Sequence, residues 1–226
     1  METHFQQELN KLKGNLLQMA GLAERAISNA VEALVKRDTS LAEKTIGEDE
    51  KINQMELRID ELCLKLLALH QPMAADLRFI TSAMRINTEL ERIGDQAVNI
   101  AERVIFLNQE AQLKPYIDIP RMAEITQGMV KNVLDAFVNG DANLARSVCE
   151  RDDQVDALND QVFRELLTYM MADSSTISRA VHLIIVSRCL ERIADHATNI
   201  AEGVIFMAKA LVIKHHADAK AETRRV

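Results

Sequence analysis

One segment of this chain occurs twice, with its polar residues kept as well as its apolar ones. Residues 90–106 read LERIGDQAVNIAERVIF and residues 190–206 read LERIADHATNIAEGVIF, so that 13 of 17 positions are identical. A packing requirement alone would keep the apolar positions and let the polar ones drift. The retained polar pairs are Glu91/Glu191, Asp95/Asp195, Asn99/Asn199 and Glu102/Glu202. The chain therefore carries the same acidic feature twice.

The repeat extends over most of the chain. A shift of 103 residues aligns Leu41-Ala42 with Leu144-Ala145 and Asp49 with Asp152, so the register changes by three residues between about residues 62 and 90. A period near 100 is too long for a solenoid and predicts two duplicated domains, each large enough to bury a core. We predict a first domain at 1–110, a linker at 111–118, a second domain at 119–213 and a basic flexible tail at 214–226.

Composition and periodicity both favour helices. Hydrophobic residues make up 48% of the chain, but it has only 7 Gly and 3 Pro, and apolar residues recur at spacings of three and four. Breaks at Arg37–Ser40, His70–Pro72, Asn139–Asp141 and Asp173–Ser175 separate the segments. The predicted helices are 3–36, 40–69, 73–107, 119–138, 142–172 and 175–213. The expected fold is all-α: two tandem, duplicated three-helix bundles with up-down-up topology.

Several classes of protein are disfavoured by charge and composition. The net charge of −7 argues against a nucleic-acid-binding protein, which normally needs a basic surface. The N-terminus has no apolar signal region, and no stretch of about 18 apolar residues predicts a membrane span. Three cysteines, Cys63, Cys149 and Cys189, lie far apart in the sequence, which is typical of reduced thiols in the core. We expect a cytoplasmic protein.

The repeated acidic residues share one stripe of their helix. At about 100° per residue, Glu91, Asp95, Asn99 and Glu102 fall within roughly 80° of one another. The preceding helix carries Asp49 and Asn53, which correspond to Asp152 and Asp156. Two facing stripes would form an oxygen-lined pocket in each domain, suited to Mg²⁺, Mn²⁺, Ca²⁺ or iron. The candidate ligands are Asp49, Asn53, Glu91, Asp95 and Glu102 in the first domain, and Asp152, Asp156, Glu191, Asp195 and Glu202 in the second.

A second interpretation needs no metal. Acidic residues on a helix are commonly solvated or paired with arginine, and Arg85, Arg92, Arg188 and Arg192 lie nearby in the sequence. If metal does bind, Asn53 lowers the charge of the first site relative to Asp156, which predicts tighter binding at the second.

The sequence carries no recognisable motif of an enzyme active site. No histidine follows a glutamate at the Glu-x-x-His spacing of ferritin-like di-iron centres, and no phosphate-binding loop or nucleophile motif occurs. His196 replaces Gln96 of the first copy and is either an additional ligand or, more simply, a surface histidine. We therefore expect no enzymatic activity.

The doubled motif LERIGD…NIAE, together with Gln71-Pro72-Met73-Ala74-Ala75-Asp76-Leu77-Arg78 at the start of the third helix, resembles the PhoU family. The likeness covers essentially the whole chain. It implies two three-helix bundles, each with a multinuclear cluster of iron or another divalent metal; Fe, Zn, Mn and Mg are not distinguished. The family's acidic ligand motif maps onto Glu91 and Asp95, Glu191 and Asp195, and Asp152 and Asp156, and the first domain departs from it at Asn53.

The resemblance also implies a role and partners. PhoU proteins are accessory regulators of bacterial phosphate uptake that restrain the phosphate-starvation response. They are thought to act between the ATPase of the phosphate ABC transporter and a sensor histidine kinase. A homodimer is expected as well. The alternatives are metal storage or a metal-dependent phosphoester hydrolase that uses the carboxylates, and a purely structural scaffold whose acids are solvated.

Overall fold

The computed structural model describes residues 4–210, and these fold into helices without a strand. The first repeat contains α1 (His4–Lys36), α2 (Thr39–Glu48), α3 (Glu50–His70) and α4 (Ala74–Leu107). The second contains α5 (Asp118–Asn139), α6 (Ala142–Cys149), α7 (Asp152–Ala172) and α8 (Ile177–Lys209), with a 3-10 turn at Ser174–Thr176. The all-α prediction is confirmed. The predicted tail at 214–226 and the last residues of the helix predicted to end at 213 lie outside the described residues.

The middle helix of each bundle is interrupted, where we predicted continuous helices at 40–69 and 142–172. The first break falls at Asp49, whose N–H donates to Ile46 O at 3.3 Å; the second falls at Glu150 and Arg151, where the Arg151 N–H donates to Val148 O at 3.1 Å. These hydrogen bonds span three residues instead of four, which tightens the helix locally. Both breaks lie at or next to a candidate ligand, Asp49 or Asp152.

The turns before the middle helices follow the chemistry of their sequence. Asp38 caps α2 by accepting from Leu41 N at 2.9 Å, and Asp141 caps α6 by accepting from Leu144 N at 3.0 Å. Gly140 ends α5 with φ of 64°, a left-handed conformation that glycine adopts without steric cost. The short turns fold each middle helix back along its neighbours.

The two repeats share one continuous hydrophobic core. The most extensive packing is between α4 and α8, which run antiparallel, and α1 also contacts α5. Phe79 of the first repeat stacks on Phe137 of the second at 5.7 Å between ring centroids. Cys63 and Cys189 are buried and Cys149 is partly buried, all three as free thiols. Within residues 4–210 no helix is long and apolar enough to cross a membrane.

Candidate carboxylate sites

In the first repeat, the break between α2 and α3 brings Asp49 against the middle of α4. A Cβ added at Gly94 would lie 3.2 Å from Asp49 Oδ1 and 2.9 Å from Ile52 Cδ1. This close approach is one that glycine permits, and the second repeat has Ala194 at the matching position. Glu91 and Asp95 flank the same point of α4. Asp49 therefore lies where the sequence placed the first pocket.

The carboxylates of this region repel one another. Burial raises the pKa of Asp49; the hydrogen bond from Asn53 Nδ2 to its Oδ2 at 3.1 Å opposes that rise, and Asp95 adds to it. Burial likewise raises the pKa of Glu91, and Asp95, Glu56 and Asp49 each raise it further. Since each of these groups is harder to ionise beside the others, the cluster is one that a cation would stabilise.

Glu56 belongs to this cluster, although the sequence analysis did not select it. Its pKa is raised by burial, then by Asp60 and Asp95. Glu56 follows Asp49 by seven residues, about two helical turns, and so lies on the same face of α3. That spacing was the signal available in the sequence.

Glu56 also changes the comparison between the two sites. It corresponds to Asn159, whose Oδ1 accepts from Ser187 Oγ at 2.8 Å. In the first repeat, Asn53 carries an amide and Glu56 a carboxylate. In the second repeat the order is reversed: Asp156 carries a carboxylate and Asn159 an amide. The charge lost at Asn53 is restored one turn later, so charge no longer favours tighter binding at the second site.

The second repeat brings together Asp156, Glu191 and Asp195. Burial raises the pKa of Asp156, and Asp195 raises it further. The pKa of Glu191 is raised by burial, then by Asp195 and Asp156. Burial also raises the pKa of Asp195, against the opposing effects of His196 and Arg192. The acids of α7 and α8 therefore lie close enough to raise the pKa of Asp156 and Glu191, and their role as ligands stays a prediction.

Asp152 and Glu202 meet at a different side chain, Cys149. Burial raises the pKa of this thiol to about 11, and Glu202 and Asp152 contribute to the rise. In the first repeat Glu102 instead pairs with Arg103, whose Nη2 lies 3.0 Å from Glu102 Oε2. Glu102 and Glu202, equivalent in the sequence, consequently have different surroundings.

The central acids form no ion pair with arginine among the described residues, although nearby arginines lower the pKa of Glu91, Glu191 and Asp195. In the part of the chain that the structure describes, Glu91, Asp95, Glu191 and Asp195 form no ion pair, and Arg92 pairs with Glu89 at 3.3 Å. Asp95 and Asp195 are solvent-exposed, while Glu91 and Glu191 are half-buried. Each cluster therefore has access to solvent and no ion-paired arginine among the described residues.

His196 is neither a surface histidine nor positioned like the acids. Its side chain is 16% exposed, and its Nδ1 lies 2.7 Å from Glu89 Oε2 across the boundary between the repeats. Asn199 Nδ2 donates to the same oxygen at 3.1 Å. These two α8 residues hold α4 against α8, a role that only the arrangement of the two bundles reveals.

The residues of the first cluster suit a hard cation. Asp49 Oδ1 is buried and has no hydrogen-bond partner among the described residues, which is costly for a carboxylate oxygen unless something binds it. Asp49, Glu56, Glu91 and Asp95 supply the oxygen donors that Mg²⁺, Mn²⁺ or iron accepts. Within residues 4–210, no three His, Cys, Asp or Glu side chains already converge to hold a metal ion. Metal binding by Asp49, Asn53, Glu91, Asp95, Glu102, Asp152, Asp156, Glu191, Asp195 and Glu202 stays a prediction.

Comparison with known proteins covers both repeats. The family model described as the PhoU domain matches residues 16–104 and 119–204. A phosphate-specific transport system accessory protein PhoU homolog of Aquifex aeolicus is 45% identical, over 95% of this chain and 98% of its own. The homolog of Pseudomonas putida is 43% identical, over 93% of this chain and 83% of its own.

Solved structures agree with this result. The crystal structure of PhoU from Pseudomonas aeruginosa matches with a TM-score of 0.89 at 44% identity, over 92% of this chain and 100% of that one. The phosphate transport system regulatory protein PhoU from Streptococcus pneumoniae matches with a TM-score of 0.88 at 31% identity, over 94% and 100%. With both halves matched by the family model and relatives over 40% identical across more than 90% of its length, this chain belongs to the PhoU family.

Proposed function

We propose that this protein is a cytoplasmic accessory regulator of phosphate uptake. In this proposal it restrains the phosphate-starvation response by relaying the state of the phosphate ABC transporter to a sensor histidine kinase. The observation that carries the proposal is the match of both repeats to the PhoU domain. Relatives that cover nearly the whole chain are named as accessory proteins of phosphate-specific transport. A homodimer belongs to the same proposal.

We further propose that metal ions bind at the two carboxylate clusters. In the first repeat Asp49, Glu56, Glu91 and Asp95 would hold the ion; in the second, Asp156, Glu191 and Asp195. A bound cation would supply positive charge that offsets the mutual repulsion of these acids. Because the acids of each cluster lie on two different helices, a metal ion bound by them would link α3 to α4 in the first repeat and α7 to α8 in the second. The regulator would then have a stiffer surface in its metal-bound form.

The role is tested by measuring alkaline phosphatase activity in phosphate-replete cells with the gene deleted and then restored. We expect high activity on deletion and low activity on restoration. Low activity in the deletion strain would contradict the proposed restraint, provided that the strain carries no related gene that could replace the deleted one.

A second arm separates metal binding from the regulatory role. Restoration with Asp95→Asn or Asp195→Asn should leave phosphatase activity high if the clusters support regulation. Matched changes at exposed acids away from the clusters, such as Glu43→Gln, should restore low activity. Full restoration by both cluster variants would remove the clusters from the regulatory mechanism and leave the family role standing.

A further inference from the structure

One face of α7 changes from acidic to apolar along its length. At about 100° per residue, the following side chains fall within roughly 100° of one another: Asp152, Asp153, Asp156 and Asp160 in the first half, and Phe163, Leu167 and Met171 in the second. The three apolar side chains are 48%, 41% and 80% exposed. The buried face of α7, formed by Val155, Leu158, Val162 and Leu166, lies beside this stripe and packs on α5 and α8.

The neighbouring helix α8 presents a matching stripe. Ile177, Val181 and Ile184 share a stripe roughly 80° wide with Glu191 and Asp195, and the exposed Arg188 lies on the same stripe. Ile177 and Val181 are 44% and 42% exposed, and Ile184 is partly buried. α7 and α8 run antiparallel, as the bonds from Thr176 Oγ1 to Tyr169 O at 3.1 Å and from Ser187 Oγ to Asn159 Oδ1 at 2.8 Å show. The apolar ends of the two stripes therefore adjoin, and so do the acidic ends.

Together the two stripes form a groove that is apolar at one end and acidic at the other. We name it the α7/α8 groove: Phe163, Leu167, Met171, Ile177, Val181 and Ile184, continuing into Asp156, Asp160, Glu191 and Asp195. From residue 156 to 171 the groove is about 22 Å long at 1.5 Å per residue. Among the described residues, the linker contacts α7 through the Lys114–Glu165 ion pair. Glu165 lies on the flank of α7 opposite the stripe, so this contact is outside the groove.

The first repeat matches this groove only in part: Leu167, Ile177 and Ile184 correspond to Leu64, Leu77 and Met84, whereas the other three apolar positions differ. Phe163 corresponds to Asp60, Met171 to Ala68 and Val181 to Thr81. Asp60 Oδ1 accepts from Asn87 Nδ2 at 2.9 Å, so a polar interaction replaces the exposed ring. The core positions of the two repeats are alike, which means that the fold does not require an apolar surface here.

We propose that the α7/α8 groove binds an amphipathic helix of a partner protein that is apolar along one side and basic toward one end. Exposed apolar side chains grouped along two helices are typical of surfaces that receive a helix. Among the described residues, the carboxylates at the other end form no ion pair and outnumber Arg188, so they favour lysine or arginine there and disfavour an acidic or neutral helix. The proposal rests on the proposed function only in requiring a protein partner. Its acidic end shares Asp156, Glu191 and Asp195 with the proposed metal site of the second repeat, so a metal ion and a basic helix would compete for these carboxylates.

The groove is tested with the full-length purified protein and labelled synthetic peptides of about 18 residues, helical by design. Each carries leucines at helical spacing along one side. One peptide has lysines in its N-terminal half, a second has lysines in its C-terminal half, and a third has glutamates in place of lysines. With EDTA present to remove metal, we expect one of the lysine peptides to bind by fluorescence anisotropy and the glutamate peptide to bind at least about tenfold more weakly.

Two substitutions give the groove the residues of the first repeat. Phe163→Asp and Val181→Thr should each weaken binding of the lysine peptide, Phe163→Asp by about tenfold or more. The matched control is Leu64→Asp on α3, whose side chain is 59% exposed and which should leave binding unchanged. Because these side chains are exposed, all three variants should keep the helical circular dichroism and melting temperature of the wild type.

Several outcomes would overturn the proposal. They are failure of both lysine peptides to bind, equal binding of the glutamate peptide, and binding that survives Phe163→Asp. Dissociation of a dimer of the protein by Phe163→Asp would assign the groove to a second copy instead. Binding of anionic lipid vesicles that competes with the peptide and is lost in Phe163→Asp would assign it to a membrane surface. None of these results alters the phosphatase experiment, so failure of the groove and failure of the regulatory role can be told apart.

Discussion

At the scale of single residues, Glu8 illustrates how an acid on an apolar helix face becomes part of the fold. Its side chain is 10% exposed and lies 2.7 Å from Lys65 Nζ and 3.1 Å from His70 Nε2. The hydrogen bond from Lys65 lowers the pKa of Glu8, burial opposes that effect, and His70 lowers the pKa further. The side chain thereby ties the start of α1 to the end of α3.

This pKa shift predicts a pH-dependent stability. Because the folded pKa lies below the ordinary value of 4.5, the unfolded state binds more protons between the two values, and the stabilisation is complete above 4.5 and lost as the pH falls through the folded pKa. We expect Glu8→Gln to lower the free energy of unfolding at pH 7, with a difference from wild type that shrinks below pH 4.5. Urea unfolding across this range measures it, with the exposed Glu43→Gln as control. A difference that is constant with pH would contradict the ion-pair account.

Glu91 carries the opposite shift, and metal should reverse its effect. Because the pKa of Glu91 is raised in the folded state, the ionised side chain destabilises the metal-free fold. The loss of folding stability grows as the pH rises from the ordinary pKa of 4.5 through the folded pKa. At pH 7 without metal we expect Glu91→Gln to stabilise by about 0.2–0.5 kcal/mol, the cost of a like-charge pair at i, i+4.

With metal present the order should invert. Wild type gains about 2.7 kcal/mol at a metal concentration one hundred times Kd, and Glu91→Gln gains less because a ligand is missing. Thermal melts with and without Mg²⁺, Mn²⁺, Zn²⁺ or Fe²⁺ measure this, with Glu61→Gln on the exposed side of α3 as control. Equal metal-induced shifts for wild type and Glu91→Gln would show that Glu91 is not a ligand.

At the scale of helices, the turns and the breaks have different origins. The turns at Asp38 and Gly140–Asp141 follow from local capping chemistry, which is written in the sequence. The break at Glu150–Arg151 has no glycine or proline near it, and the break at Asp49 has only Gly47, which lies within the last turn of α2. They arise where a middle helix bends along its neighbours, so a local pattern predicts a continuous helix there.

Two glycine-to-alanine substitutions should have opposite effects on the stability of the protein. Gly140→Ala introduces a Cβ at φ of 64° and should destabilise by about 1 kcal/mol. Gly14→Ala lies within α1 with nothing within 4 Å of the added Cβ and should stabilise by about 0.5–1 kcal/mol through helix propensity. Chemical denaturation of both variants measures the two signs. A loss of stability at Gly14→Ala would mean that the alanine methyl is not accommodated as the backbone indicates.

At the scale of the whole molecule, the repeats are joined by more than the linker. Glu89 contacts His196 and Asn199 across the interface, and Lys13 Nζ donates to Val138 O at 2.5 Å. The linker itself is fixed to both repeats: Arg37 of the first repeat donates to Glu110 O, and Arg179 of the second donates to Ala111 O at 3.0 Å. These contacts and the continuous core couple the stabilities of the two bundles.

The coupling predicts that the repeats unfold together. Leu12→Ala in α1, at a fully buried position, should cost about 2–5 kcal/mol and should lower hydrogen-exchange protection in α7 of the other repeat by a similar free energy. The exposed Leu57→Ala in α3 serves as control and should leave α7 protection unchanged. If Leu12→Ala deprotects the first repeat alone, the bundles unfold independently despite their shared core.

The sequence by itself determined the helical class, the duplication and the stripe of acids along each motif helix, because these depend on residue spacing along single helices. It selected Glu91, Asp95, Asp156, Glu191 and Asp195 for the same reason. Tertiary structure decided what lies between helices far apart in the chain. His196 became a contact between repeats because α8 packs on α4, Glu56 joined the first cluster, and Phe163 and Val181 were left on the surface. Such relations depend on which helix packs against which, and the periodicity of a single helix carries no record of its neighbour.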